Sequence, residues 1–93
     1  MMEELTHKRI GYLIIDGLSK RREPSAEYVD GLLEGLKLFR EINTGYIGYA
    51  VVSDKFYGAG LHDLEDITES HIIRLGEYGW FFDPEGECFC TFI

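Results

Sequence analysis

The chain reads as a small α+β domain: a mostly antiparallel sheet of about five strands packed on two helices, in the order β-α-β-β-α-β-β. Three observations predict this. Ninety-three residues, 45% of them hydrophobic, suffice for one domain with one modest core. Two segments, 24–43 and a stretch from about Thr68 to Gly79, carry apolar residues at helical spacing. Around them lie short runs of aromatic and β-branched residues bounded by turn signals.

The first element, "HKRIGYLIID" at 7–16, is expected as a buried strand, being short, Ile- and Tyr-containing and closed by Asp16-Gly17. Ile10, Leu13, Ile14 and Leu18 also fit a helix, but Gly11 and Gly17 weigh against it. A polar connection with Pro24 follows. Residues 24–43 then form a helix, with Ser25 as cap, Glu27 and Asp30 at the positive end of its dipole, and Lys37 and Arg40 toward the other end. Val29, Leu32, Leu33, Leu36 and Phe39 make its apolar stripe, and Asn43 to Gly45 stops it. Residues 45–60 alternate as a strand and hairpin, turning at Ser53-Asp54-Lys55. The second helix starts with Thr68 as cap and Ile67 and Ile72 as a hydrophobic staple; Ile72, Leu75 and Tyr78 face inward, and Gly76 or Gly79 ends it. "DPEG" at 83–86 marks a final hairpin. A Pro84-Glu85-Gly86 loop would set Phe82 opposite Cys88 and Trp80 opposite Cys90, with Trp80, Phe82, Cys88, Cys90 and Phe92 on one face.

The net charge of −8 argues against a nucleic-acid binder, which needs a basic footprint. The charge is uneven: residues 1–22 hold five basic and three acidic residues, and residues 23–93 hold four basic and fourteen acidic, a net of −10. Such a surface serves solubility, or steers toward a basic protein partner. No stretch has the pattern of a signal peptide or the roughly 20 apolar residues of a membrane helix. The expected setting is the cytoplasm, with no membrane partner.

Cys88 and Cys90 pose four alternatives. As i and i+2 on a strand their Cα atoms stand roughly 6.5–7 Å apart with parallel Cβ vectors, at the limit for a disulfide. Cys-x-Cys is not zinc spacing, and His7, His62 and His71 are scattered. Glu85 and Glu87 disfavour a reactive thiolate. What remains is two small, buried, apolar side chains. No metal or cofactor is expected.

Other motifs carry a bland reading beside the sharp one. Gly31 and Gly35, one helical turn apart, mark close approach, by a partner or a ligand or by the domain's own sheet. "HDLEDITE" at 62–69 lacks the calcium-loop pattern and reads as an acidic helix start or a partner-facing surface. "KRRE" at 20–23 is too short for a nucleic-acid patch but could hold a phosphate group. "YGAG" at 57–60 is a weak phosphate-loop match. Six tyrosines exceed what a small core hides, so some are expected on a contact surface.

From about Ala50 the chain resembles the C-terminal half of small phage and mobile-element proteins. The shared outline is a strand ending in a His/Ser-Asp-x-hydrophobic-aromatic-Gly motif, a short helix ending in Leu-x-x-x-Gly-Trp, and an aromatic hairpin. The matching pieces are Ser53-Asp54, Phe56-Tyr57-Gly58, Leu75, Gly79-Trp80 and the terminal hairpin. The resemblance covers about half the chain and its residues are structural; it implies a phage accessory protein of the kind that blocks a host enzyme or defence complex.

The first functional expectation is a non-enzymatic, phage-type anti-defence inhibitor that binds a host defence or nucleic-acid-handling complex. Its surface would comprise Asp54, Tyr57, Asp63, Glu65, Asp66 and Glu69. The second is a module that sequesters a small nucleotide signal through Lys20, Arg21 and Arg22, at a dimer interface. An enzyme ranks last, because no nucleophile–base pair emerges. An exposed sheet face or edge would favour a homodimer.

Overall fold

Residues 7–16, expected as a strand, begin a helix. The structure, a computed structural model, describes residues 6–20, 28–45 and 47–92, without the side chains of 28–30. In it α1 spans His7–Ser19 and α2 Tyr28–Ile42. The strands are β1, Ala50–Val52; β2, Lys55–Gly60; β3, Phe81–Asp83; and β4, Cys88–Phe92. A 3-10 turn at Leu61–Asp63 leads toward α3, Glu69–Glu77. The fold is thus α+β, with three α-helices and a four-stranded antiparallel sheet in the order β1-β2-β4-β3. The expected fifth strand is replaced by α1. The proposed cap Ser25, together with Glu27, Arg21, Arg22 and Tyr46, lies outside the described residues.

Helical period outweighs the glycines in α1 because each has a place. Thr6 caps the start, its hydroxyl accepting from the Arg9 amide at 3.1 Å. Ile10, Leu13, Ile14 and Gly17 form the buried stripe. Gly17 meets Gly76 where α1 crosses α3: a Cβ on Gly17 would collide with the Ile73 carbonyl, and one on Gly76 with the Ile14 carbonyl. The Arg9 guanidinium grips Glu69 with two bonds, of 2.9 and 2.8 Å, joining the helix starts. His7 reaches Glu87 at 3.0 Å and sits against the Phe82 ring, so α1 also covers the β3 side of the sheet.

The inner face of α2 is rotated from the expected stripe. Gly35, Leu38 and Phe39 are buried, while Leu33 and Leu36 are exposed. The cause is Trp80. Its indole N–H donates to the Gly31 carbonyl at 2.9 Å, and a Cβ on Gly35 would collide with the ring. The glycine pair is therefore the contact face toward the domain's own core. The helix ends at Asn43, whose side chain accepts from the Gly45 amide at 2.7 Å and donates to the Asp63 carbonyl at 2.8 Å.

α3 follows its sequence signals closely. Thr68 caps it, and Ile67 and Ile72 are both buried in the core. His71 completes a reciprocal box: its amide donates to the Thr68 hydroxyl, and its Nδ1 accepts from the Thr68 amide at 3.0 Å. At the far end Gly79 is left-handed (φ 89°), the Gly79 amide bonds to the Gly76 carbonyl, and the Trp80 amide to Leu75. This Schellman ending delivers Trp80 into the core.

The last hairpin corrects the expected register. Phe81 pairs with Cys90, Phe82 with Phe89, and Asp83 with Cys88. The loop holds Glu87 as a fourth residue, left-handed at φ 50°, and one added loop residue turns β4 over. Phe82, Phe89 and Thr91 face the helices; Cys88, Cys90 and Phe92 share the opposite face with Phe81. Among the described residues no helix is long and apolar enough to cross a membrane.

Two predictions follow from the helices. Gly11 meets nothing within 4 Å, so Gly11→Ala should gain about 0.5–1 kcal/mol of stability in chemical denaturation. Gly17→Ala, with the same gain in propensity, should instead lose about 1–3 kcal/mol by overpacking. The second concerns pH. Burial, then the Arg74 charge, lowers the His71 pKa from 6.5, so the fold prefers the neutral ring that accepts from Thr68. That stability is complete above pH 6.5 and is lost as the pH falls through the lowered value. Glutamine serves the same capping position without titrating. The thermal midpoint of the native chain should therefore fall relative to His71→Gln between pH 7 and pH 5; parallel curves would refute the role.

Candidate interaction surface

Three hollows meet around the loop that carries the chain from α2 into β1. The first is an apolar cleft of about 410 Å³ between the C-terminal half of α2 and the edge of the sheet, lined by Leu36, Phe39, Ile47, Tyr49 and Phe56. Tyr49 and Phe56 stack within it, with centroids 5.8 Å apart and planes 3° from parallel. Arg40 lines its rim, but the guanidinium donates to the carbonyls of Asn43 and Gly45, so its charge is tied to the helix end. The second, about 230 Å³, shares Tyr49 with the first and continues past Ala50 and Tyr57 to His62 and Asp63. The third, about 280 Å³, shares His62 and Asp63 with the second and adds Asn43, Glu65 and Asp66. From the first hollow to the third the lining passes from apolar to acidic.

The acidic end is built by short-range structure. The 3-10 turn presents His62 and Asp63, whose side chains lie 3.6 Å apart. The Asn43 amide fixes the Asp63 carbonyl, anchoring this turn to the end of α2. Glu65 and Asp66 follow, both exposed. Among the described residues no cation pairs with either; the Lys and Arg ion pairs join Arg9, Lys20, Lys37 and Arg74 to Glu69, Asp16, Glu34 and Glu41.

The structure brings together four of the six residues expected at a partner surface: Tyr57, Asp63, Glu65 and Asp66. Glu69 is occupied by Arg9, whose hydrogen bond lowers its pKa. Asp54 lies apart in the two-residue turn between β1 and β2. Of the residues expected to hold a phosphate, Lys20 caps α1 and pairs with Asp16 at 3.3 Å, away from the three hollows; Arg21 and Arg22 lie outside the described residues. Tyr49 is one of the six tyrosines of which some were expected on a contact surface, whereas Ile47 and Phe56 of the cleft and the exposed β1 residues Val51 and Val52 were not singled out. For Ile47, Val51 and Val52 the signal was an uncharged run from Gly45 to Ser53, which becomes a surface only when β1 is known to be an edge strand.

The cysteines are free and lie on the sheet face away from the helices, not opposite Trp80 and Phe82 as expected. Cys90 is buried between its cross-strand neighbours Tyr57 and Phe81; Cys88 is half-buried. Burial pushes the Cys90 thiol up to about 11, and burial followed by the Asp83 charge raises that of Cys88. Both groups favour the thiol, which is a poor nucleophile and metal ligand. Among the described residues no three His, Cys, Asp or Glu side chains gather as a metal site.

"YGAG" is also explained by packing. A side chain on Gly58 would press on Phe39 and Trp80, and a bulge between Tyr57 and Gly60 leads β2 into the 3-10 turn. Comparison with protein families, with curated proteins and with solved structures finds no match for this chain.

The thiol environments give a direct expectation. At pH 8 Ellman's reagent should leave Cys90 unmodified and label Cys88 slowly, with both reacting at once in guanidinium. Rapid native labelling of Cys90 would contradict its burial.

Proposed function

We propose that this chain is a small, non-enzymatic binding protein that docks its acidic hollow on a basic surface of another protein. The observation that carries the reading is that Asp63, Glu65 and Asp66 line one hollow, which shares His62 and Asp63 with the Tyr49–Tyr57 groove beside it, with Glu65 and Asp66 lacking a cation among the described residues. Unpaired carboxylates of one sign beside exposed aromatic area steer a basic partner and then give it apolar contact. The overall charge of −8 acts in the same direction. A phage-type accessory protein that blocks a host defence or nucleic-acid-handling complex in the cytoplasm works in this way, because an acidic body can occupy a basic groove.

A small-ligand module is the second reading. The apolar cleft of about 410 Å³ falls within the size range of ligand pockets and favours it. The cleft, rather than Lys20, would be its seat.

Affinity capture from bacterial cytoplasm, run in parallel with Asp63→Asn/Glu65→Gln/Asp66→Asn, tests the first reading. The native chain should retain a basic partner at 50 mM salt and lose at least tenfold of it both at 500 mM salt and in the triple variant. Equal retention by the variant, or salt-insensitive capture, would refute it. Native mass spectrometry of gently purified protein showing a few hundred added daltons would favour the ligand module instead.

A further inference from the structure

The two edges of the sheet are treated differently. Both edge strands have three residues, but β3 ends in Asp83-Pro84 and has α1 packed against it. Acid, proline and cover are the usual means of blocking an edge. β1 has none of these. All three of its residues are exposed, Val51 by 51% and Val52 by 59%, and Tyr49 before it by 74%.

The register shows what this edge offers. A two-residue turn joins Val52 to Lys55, with Ser53 at a positive φ of 57°, as a hairpin turn requires. In such a hairpin the pair flanking the turn exchanges hydrogen bonds, and bonded and non-bonded pairs alternate. Val52–Lys55 and Ala50–Tyr57 are then bonded pairs, and the N–H and C=O of Val51 point away from β2. The edge is uncharged but acid stands at both ends: Asp54 beyond Val52, and the Asp63–Glu65–Asp66 hollow beyond Tyr49.

We propose that the partner enters as an extended segment, apolar at its centre and flanked by Lys or Arg, that adds to the sheet along β1. The inference rests on the acidic-docking reading and specifies its geometry. Side chains of an added strand alternate between faces. Those on the helix side fill the Leu36–Tyr49–Phe56 cleft. Those on the other side lie along Ala50 and Val52. The flanking cations reach Asp54 and the acidic hollow. Backbone bonds to Val51 supply affinity and the two acidic ends supply selectivity.

The test uses a fluorescein-labelled peptide, Lys-Lys-Ile-Thr-Val-Lys-Lys, its acidic counterpart with Glu in place of every Lys, and a form of the basic peptide N-methylated at its central amides. Fluorescence anisotropy should show the basic peptide binding at least tenfold tighter than the acidic one. N-methylation should weaken it at least tenfold, and so should Val51→Pro, which removes an outward donor without breaking the ladder to β2. The N-methylated arm decides the matter if Val51→Pro fails to fold. Undiminished binding of the N-methylated peptide, with loss in Asp63→Asn/Glu65→Gln/Asp66→Asn, would overturn strand addition while leaving acidic docking intact. No binding of the basic peptide would overturn the inference. So would sedimentation showing a dimer that Val51→Pro converts to monomer, because a second copy would then hold the edge.

Discussion

The Trp80 indole joins the two layers of this protein, and most of the architecture depends on it. The ring is fully buried, packs edge-on against Phe39 at 5.0 Å and Phe56 at 6.1 Å, and donates its N–H to the Gly31 carbonyl. A buried indole removes about 150–250 Å² from water, roughly 4–6 kcal/mol as an upper bound. The hydrogen bond adds about 1 kcal/mol, and without it a buried donor would stand unpaired. The ring needs flat walls to fit. Gly35 of α2 and Gly58 of β2 supply them, and glycine at a helix interior, at a cost of about 1 kcal/mol relative to alanine, is the consequence.

That one contact also positions the surface. Seating α2 on Trp80 turns Leu38 and Phe39 inward and leaves Leu36 at the rim of the cleft. It brings Asn43 to the Asp63 carbonyl, so the acidic hollow hangs from the end of α2. The Gly17–Gly76 crossing acts between α1 and α3. It brings α1 against α3 closely enough for His7 to reach the β3–β4 turn. The helices thus cover one edge of the sheet, leaving β1 bare beside the carboxylates.

Parts of this were legible in the residues. The α3 helix was, because Thr68, Ile67, Ile72 and Gly79 are local signals whose meaning does not depend on distant contacts. Tyr57, Asp63, Glu65 and Asp66, singled out by their polarity and spacing, line two adjoining hollows. The first helix was not: Ile10, Leu13 and Ile14 suit either period, and only Gly76, far along the chain, explains Gly17. The face of α2 was set by an indole almost fifty residues away. The β3–β4 register turned on whether the loop holds three residues or four, a difference carried by the backbone of Glu87. Glu69 was lost from the surface to Arg9, a pairing between helix starts that no local pattern announces.

Hydrogen exchange of the indole N–H tests the central claim most directly, and the chain's single tryptophan makes its signal in an NMR spectrum unambiguous. If Trp80 locks α2 to the sheet through Gly31, that proton should exchange only with global unfolding, at the rate of the most protected core amides. Exchange many orders of magnitude faster, at the rate of a solvated indole, would mean that α2 is not held by this bond and that the cleft and the acidic hollow are not fixed relative to one another.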